Sequence, residues 1–204
     1  MLKFFKEHHL AILLPLAFSL YYLAFRNIGT FWYMYTFSLL VLMSFSTLFI
    51  KISEELATWK SILYGLCYGT LIYAIVAVGY HLIRLSPINI ESSINGFLDN
   101  FAPTSIWHFL LLMFVIVPGE EIFWRGYIQQ KLKKYFSGSG AVLASSALFA
   151  LAIGISGFIP GIFAAAIAGV VLGSLYEWKK SMPLLIVTHL VMIVFLFLIR
   201  PLSG

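Results

Sequence analysis

The chain has 204 residues, of which 61% are hydrophobic and only 10% are charged, and its formal net charge is +5. Soluble domains are nearer half apolar and a quarter charged, and a soluble chain this short could not bury so much apolar surface. The composition therefore excludes a soluble globular protein, and without a basic patch interleaved with exposed aromatics we expect no nucleic-acid partner.

Seven apolar runs follow one another along the chain, each long enough to cross a hydrocarbon core of about 30 Å. No small-residue cleavage site follows the first run, so we expect a retained helix rather than a signal peptide. The sequence thus predicts an all-α fold, a polytopic transmembrane bundle of about seven helices. The predicted helices are 10–26, 31–50, 61–83, 105–128, 141–157, 159–176 and 183–200.

The segments around these runs divide the chain into two parts of one integrated membrane domain. Residues 1–104 hold the N-terminal helices and an outer loop, and residues 105–204 hold a four-helix core. The loop at 85–104 is the one long polar segment, and its stretch ESSINGFLDNF could form a short interfacial helix. The fifth and sixth helices should form a tight hairpin, since their Gly and Ala residues permit close approach.

The basic residues predict the orientation of the chain. With a cytoplasmic N-terminus, nine lysines fall on the inside, whereas the outside holds Arg26, Arg84 and Arg200. Cytoplasmic loops of membrane proteins carry the excess of Lys and Arg. We therefore expect seven spans with the N-terminus in the cytoplasm and the C-terminus outside.

The single cysteine, Cys67, lies inside the third apolar run. One cysteine can form neither an intramolecular disulfide nor a cysteine metal cluster. Free cysteine behaves as a small hydrophobic residue, so we expect Cys67 to be buried in the core.

A charged cluster stands at the end of the fourth run, in VPGEEIFWRG. Glu121 and Arg125 are spaced i, i+4, so they share a helix face and can pair. Glu120 is rotated by about 100° from Glu121, so it points elsewhere and stays free for another role. Pro118 removes a backbone hydrogen bond and Gly119 follows it, so the helix should bend or loosen there.

One other polar group is expected at a similar depth. Glu120 lies about 16 Å of helix from Lys131, and His189 lies about 13 Å from Lys180. A carboxylate and an imidazole that meet in a membrane cavity can share the activation of water. The alternatives are an ion pair that pins the helices together and a histidine that bonds a carbonyl. No metal-ligand spacing accompanies the cluster, so no metal or other cofactor is predicted, although a metal stays possible.

These residues resemble a known group of membrane proteins. PGEEIFWRG fits the E-E-x-x-x-R signature of the CAAX protease and bacteriocin-processing family, which includes Abi-like proteins and type II CAAX prenyl endopeptidases. The resemblance covers about residues 105–200 and includes the later stretches SSALFALA and PLLIVTH. It implies an intramembrane endopeptidase of a bacterial cell membrane, with hydrophobic or lipidated peptides as substrates and membrane lipids as surroundings.

The resemblance also implies roles for individual residues. The first glutamate of the motif, here Glu120, would activate a water for attack on a peptide carbonyl. Glu121 and Arg125 would be the supporting pair, and His189 would be a histidine of the later motifs that assists the base and holds the oxyanion.

Two motif positions depart from the family pattern. Where the family has F-x-x-x-H this chain runs from Phe149 to Ile153, and where it has H-x-x-x-N or H-x-x-x-D this chain runs from His189 to Ile193. Preorganised donors to an oxyanion are worth about 3 kcal/mol each, so the departures predict a reduced site. Whether Thr188 or Ser156 replaces the lost groups stays open at the level of sequence.

Three functions therefore remain compatible with the sequence, and the one with the least support is a small transporter, since only Pro118 and Gly119 suggest the unwound helix that it would need. The first is an intramembrane glutamate-dependent endopeptidase with a reduced site. The second is a catalytically impaired relative that serves as a bacteriocin self-immunity factor, a scaffold or a membrane regulator, with a peptide or another membrane protein as its partner.

Overall fold

The computed structural model describes residues 2–50, 54–85 and 90–199, and the regular structure in these ranges is helical. Beside the helices, one isolated antiparallel bridge joins Glu54 to Ser181. The helices are α1 (Leu2–Arg26), α2 (Phe31–Thr47), α3 (Thr58–Arg84), α4 (Ile90–Phe101), α5 (Ile106–Leu132), α6 (Gly138–Gly154), α7 (Ile159–Lys179) and α8 (Met182–Val194, continued by π-helical turns over Phe195–Ile199).

The predicted all-α membrane bundle is confirmed. Its seven apolar helices are α1 to α3 and α5 to α8, with ends that agree to about one helical turn except that α1 begins earlier, at Leu2. Five of them are long and apolar enough to cross a membrane, whereas α6 and the apolar part of α8 are shorter. The stretch ESSINGFLDNF lies within the helix α4, and residues 86–89 of the same predicted loop lie outside the described ranges.

Close helix packing depends on glycines that face other backbones. A Cβ atom added to Gly69 of α3 would lie 2.6 Å from the carbonyl oxygen of Thr188, and one added to Gly169 of α7 would lie 2.9 Å from the Ser146 side chain. These contacts pair α3 with α8 and α6 with α7, so the predicted tight hairpin of α6 and α7 is present. Small residues allow such approach because membrane helices associate through packing rather than through the hydrophobic effect.

The expectation that Cys67 is buried is wrong. Its side chain is exposed on α3, whereas Gly65 and Gly69 of the same helix are buried against α8. The third helix uses its glycine face for packing, and Cys67 lies two residues away from each of these glycines, on another face. In a membrane protein, an apolar side chain gains little from burial in the protein core, because the surrounding lipid is apolar as well.

Helix α5 changes its hydrogen-bonding pattern twice along its length. It is π-helical over Leu112–Ile116 and again over Glu121–Gln129, with a short α-helical piece, Val117–Glu120, between them. Pro118 lies in that piece and lacks the N–H that an α-helix needs. The loosening predicted at Pro118 and Gly119 thus takes the form of π-helical turns, which frequently occur at functional sites.

Candidate functional site

The site is assembled where α5 passes close to α2. A Cβ atom added to Gly119 would lie 3.0 Å from the Cβ atom of Leu39, so the glycine lets the two helices approach. Tyr35 precedes Leu39 by one helical turn, and its hydroxyl donates a short hydrogen bond to Oε1 of Glu120. The second carboxylate oxygen of Glu120 is therefore left for another partner.

Glu121 and Arg125 form the predicted ion pair. Nη1 of Arg125 lies 3.1 Å from Oε1 of Glu121, and the two residues are 1% and 0% exposed. The guanidinium group also covers the ring of Phe149 from α6, with its central carbon 4.6 Å from the ring centroid. Because both charges are buried, each one needs the other to offset its loss of hydration. An unpaired charge in such a site would cost a large free energy of desolvation.

His189 of α8 lies between the two glutamates. Its Nδ1 is 2.7 Å from Oε1 of Glu121, which is a hydrogen bond, and its Nε2 is 4.0 Å from Oε2 of Glu120. The predicted meeting of Glu120 and His189 is therefore present, but the direct bond goes to Glu121. A carboxylate bonded to one ring nitrogen fixes the orientation of an imidazole, and the other nitrogen then faces Glu120.

Glu120 contributes to the wall of a cavity of about 150 Å³. Ile153 and Ile193, which occupy the two departing motif positions, line the same cavity, and the rest of its wall is almost entirely apolar. The remaining lining residues are Phe25, Phe31, Trp32, Tyr35, Phe97, Phe101, Pro103, Leu112, Ile116, Val117 and Phe197.

Thr188 and Ser156 do not replace the lost polar groups in this arrangement. The hydroxyl of Thr188 donates to the Leu184 carbonyl at 2.7 Å, and that of Ser156 donates to the Ile153 carbonyl at 2.7 Å. Both bonds stay within the local backbone, and neither residue lines the cavity. The question left open by the sequence is thus answered against both residues.

Two buried polar atoms of the cluster have no partner among the described residues. They are Oε2 of Glu121 and Nη2 of Arg125. Almost all buried polar atoms in proteins have a partner, which can be an ordered water. The Glu121–Arg125 pair therefore offers one acceptor and one donor beyond those that the described residues use.

The structure brings together all four site residues that the sequence predicts, Glu120, Glu121, Arg125 and His189. Sequence reasoning missed Tyr35, together with Tyr21 of α1, which accepts a hydrogen bond from the Trp124 indole at 3.1 Å. Each is a tyrosine inside a long apolar run, and that single polar atom was the available signal. Within the described part of the chain, no group of three His, Cys, Asp or Glu side chains could hold a metal ion.

One comparison with known proteins found a match. Residues 102–195, just under half of the chain, match the family model of the Rce1-like type II CAAX prenyl endopeptidases. The matched segment contains all four predicted site residues and both departing isoleucines. Comparisons with curated proteins and with solved structures gave no match. The resemblance to the CAAX protease family that the motifs indicate is therefore confirmed over residues 102–195.

Proposed function

We propose that the protein is an intramembrane endopeptidase in which Glu120 activates a water molecule against a peptide bond. The observation that carries this proposal is the pair formed by Glu120 Oε2 and His189 Nε2, which are 4.0 Å apart beside an apolar cavity. A buried carboxylate that faces an imidazole in a membrane helix bundle is costly to keep, and such residues usually have functional roles.

The spacing of these two atoms suits a shared water. For a water oxygen about 2.8 Å from each of these two atoms, the angle from Oε2 through the water oxygen to Nε2 would be about 90°, which is near the range of ordinary hydrogen-bond geometry. The Tyr35 bond holds Oε1 of Glu120, so Oε2 is the oxygen that would receive the proton of this water. A water at this position would lie within hydrogen-bond reach of Glu120, and such reach is the first requirement for a general base.

The reaction then has two proton transfers. As the water oxygen adds to the peptide carbonyl carbon, one water proton moves to Glu120. The tetrahedral intermediate breaks its C–N bond, and Glu120 returns the proton to the departing amine. The products are a new carboxyl terminus and a free amine, and the carboxylate of Glu120 is restored.

The neighbouring charges would keep this base in place. Glu121 accepts a hydrogen bond from His189 and pairs with Arg125, so it orients the ring rather than meeting the substrate. Nε2 of His189 could accept from the water or, once the ring is protonated, donate to the oxyanion. Arg125 offsets part of the negative charge of the two adjacent glutamates.

The cavity favours hydrophobic or lipidated peptides as substrates. Its aromatic and aliphatic wall would desolvate an apolar side chain beside the scissile bond, and polar side chains would lose hydration without gaining partners. Substrates would therefore enter from the membrane, either as a hydrophobic segment or as a peptide with an attached lipid.

Ile153 and Ile193 favour the second candidate function. They place aliphatic side chains in the cavity where the family pattern has polar ones, and oxyanion donors are worth about 3 kcal/mol each. A protein with this wall could bind an apolar peptide and release it uncut. It would then act as a scaffold, a membrane regulator or a bacteriocin self-immunity factor.

We also propose that the protein lies in a bacterial cell membrane with its N-terminus in the cytoplasm. The support is the lysine-rich end of the bundle, where α5 and α7 end, since the cytoplasmic side carries the excess of basic residues. Reporter fusions to the C-terminus test this topology: we expect an extracytoplasmic reporter to be active, and a cytoplasmic signal would contradict it.

Cleavage by the purified protein distinguishes the two functions. The wild type, Glu120→Gln and the exposed control Glu55→Gln would be incubated in nanodiscs with hydrophobic and lipidated peptides, and products would be identified by mass spectrometry. We expect the wild type and Glu55→Gln to cut the same bond, and Glu120→Gln to be slower by about 100-fold or more.

Two results would count against catalysis. Equal cleavage by Glu120→Gln and the wild type would exclude Glu120 as the base. Tight binding of the same peptides by all three proteins, with no product from any of them, would favour the binding function.

A further inference from the structure

A second cavity lies away from Glu120, at the end of the bundle where α5 and α7 end. It has a volume of about 280 Å³ and is larger than the cavity at Glu120. None of the four predicted catalytic residues lines it. Its lining residues are Phe49, Ile50, Gly126, Gln130, Lys131, Lys133, Tyr176, Glu177 and Lys180.

The wall of this cavity is positively charged. Three lysines face a single carboxylate, that of Glu177, which leaves a surplus of two positive charges. That carboxylate already accepts from Lys133 Nζ at 2.5 Å, from Gln129 Nε2 at 2.9 Å and from Gln130 Nε2 at 3.3 Å. Glu177 thus pairs with Lys133 and leaves the charges of the other two lysines available.

Those two lysines are Lys131 and Lys180. Within the described ranges, neither forms an ion pair with the protein. Lys131 stands in the last turn of α5, and Lys180 follows the last residue of α7. The two chain segments are far apart in sequence, yet the fold brings their ammonium groups to one cavity.

The backbone at Lys180 is unusual. Its φ of 43° and ψ of 49° lie in the left-handed region, and Lys180 is the only described non-glycine residue with a positive φ. Its N–H bonds to the Tyr176 carbonyl at 2.8 Å, and its carbonyl accepts from the Glu55 N–H at 3.2 Å. Glycine adopts this conformation without steric cost and is the usual residue at such a helix end. A lysine held there indicates that its side chain is needed.

The cavity opens at a level where membrane anchors are found. Trp178 is 65% exposed, and Nζ of Lys179 lies 3.5 Å from the centroid of its ring and 5.4 Å from that of Tyr64. Nearby, Lys60 lies over the ring of Trp59. Aromatic rings with flanking lysines are typical of the headgroup region of a bilayer. The cavity is therefore placed where lipid phosphates are present at high concentration.

We propose that this cavity binds a phosphate-bearing anion through Lys131 and Lys180, and that the headgroup of an anionic phospholipid is its nearest source. Basic pockets between membrane helices bind such headgroups. A soluble phosphate compound offers the same chemistry from the aqueous side. The site is independent of the proposed peptidase activity, since it uses none of that machinery.

Binding to the purified full chain tests this proposal. Phosphatidylglycerol, phosphatidylcholine and inorganic phosphate would be titrated separately in neutral detergent, with bound molecules counted by native mass spectrometry. The proteins would be the wild type, Lys131→Gln/Lys180→Gln, Lys180→Gly and the control Lys134→Gln. Lys134 is exposed, stands at the same end and does not line the cavity.

We expect each lost lysine to weaken phosphatidylglycerol binding by about fivefold, so the double variant should lose about 30-fold, whereas Lys134→Gln stays within about twofold of the wild type. Lys180→Gly should bind more weakly while its unfolding temperature stays equal or rises, since glycine suits the backbone. If the Lys180 side chain had only a structural role, Lys180→Gly would unfold at a lower temperature and bind phosphatidylglycerol as the wild type does.

The two probes separate the possible sources. Lysine-dependent binding of phosphatidylglycerol without competition from phosphate assigns the site to a lipid. Lysine-dependent binding of phosphate, with no preference between the two lipids, assigns it to a soluble compound. If the double variant binds both probes as Lys134→Gln does, the proposal is overturned.

Discussion

The cavity at Glu120 has an apolar wall and, beside it, a charged cluster that we call the charged wall. The charged wall consists of Glu120 and Glu121 from α5 and His189 from α8: Glu120 lines the cavity, and His189 bonds to Glu121 and faces Glu120 at 4.0 Å. The other wall is aliphatic and aromatic, with Ile153 of α6 and Ile193 of α8 at the positions where the family pattern has polar side chains.

The difference between the walls separates two requirements of peptide hydrolysis. The charged wall can orient and deprotonate a water. The apolar wall can bind a hydrophobic peptide, but Ile153 and Ile193 offer no hydrogen-bond donor to the charge that develops on the carbonyl oxygen. Such donors act by being in place before the reaction, and an isoleucine cannot supply one. We therefore expect an enzyme with a correctly positioned general base and a low kcat.

The largest expected effect comes from breaking the charged wall. Arg125→Met leaves the Glu121 carboxylate buried without its cation, and removing one partner of a buried pair costs about 3–5 kcal/mol. Thermal unfolding in detergent would measure the loss. The matched control is Arg84→Met, because Arg84 pairs with Glu91 at 2.7 Å but both side chains are about half exposed.

For the control Arg84→Met we expect the free energy of unfolding to fall by less than about 1 kcal/mol, since exposed ion pairs contribute little to stability. The double variant Glu121→Gln/Arg125→Met should recover part of the stability that Arg125→Met loses, because it removes both charges. Equal losses for Arg125→Met and Arg84→Met would mean that the Glu121–Arg125 pair does not stabilise the bundle.

The charged wall could be predicted from the sequence to a large extent. The i, i+4 spacing predicts the pair of Glu121 and Arg125, and depth counting from the flanking lysines predicts that Glu120 and His189 lie at one level. The counting could not decide which glutamate bonds to His189, because that depends on ring rotation and on the π-helical turns that begin at Glu121.

The contribution of the N-terminal helices could not be predicted. Tyr35 lies far from the motif in sequence, and α2 is apolar enough to be read as a plain span. Its contact with Glu120 depends on the close approach of α2 and α5 at Gly119, a packing detail that no periodicity encodes. The apolar runs predict that the helices exist, whereas glycine contacts decide which of them are neighbours.

A smaller effect is expected from adding a polar group to the apolar wall. Ile193→Asn would restore an amide donor beside Glu120, and a single oxyanion donor changes the rate by about 100-fold. We expect kcat to rise toward that factor for a hydrophobic peptide. The control Leu198→Asn alters the same helix at an exposed position outside the cavity.

Unchanged kcat in Ile193→Asn, in a variant that remains folded, would show that the apolar wall is not what limits the reaction. A parallel rise in Leu198→Asn would point to a general effect on α8 rather than to a donor at the site.

The smallest effect is expected from Tyr35, which joins the two walls. Tyr35→Phe removes the hydroxyl that bonds Glu120 and keeps the ring that lines the cavity. Hydrogen bonds to charged groups are worth about 1.5–3 kcal/mol, and we expect the lower end of that range, a fall in kcat of about 10-fold, because the carboxylate of Glu120 itself is retained. Tyr33→Phe changes a tyrosine that is 69% exposed and should leave kcat unaltered. A loss confined to KM would assign Tyr35 to substrate binding instead.

The most direct test of the account is a double-mutant cycle on Glu120 and His189, with single-turnover cleavage as the readout. Glu120→Asp withdraws the carboxylate from the water, and His189→Gln removes the imidazole, so each should slow cleavage by about 10-fold or more. If both groups act on one water, the double variant should be hardly slower than the slower single variant, because residues that act as a unit are not additive. Losses that multiply, or a His189→Gln variant as fast as the wild type, would contradict the claim that the two groups share a water.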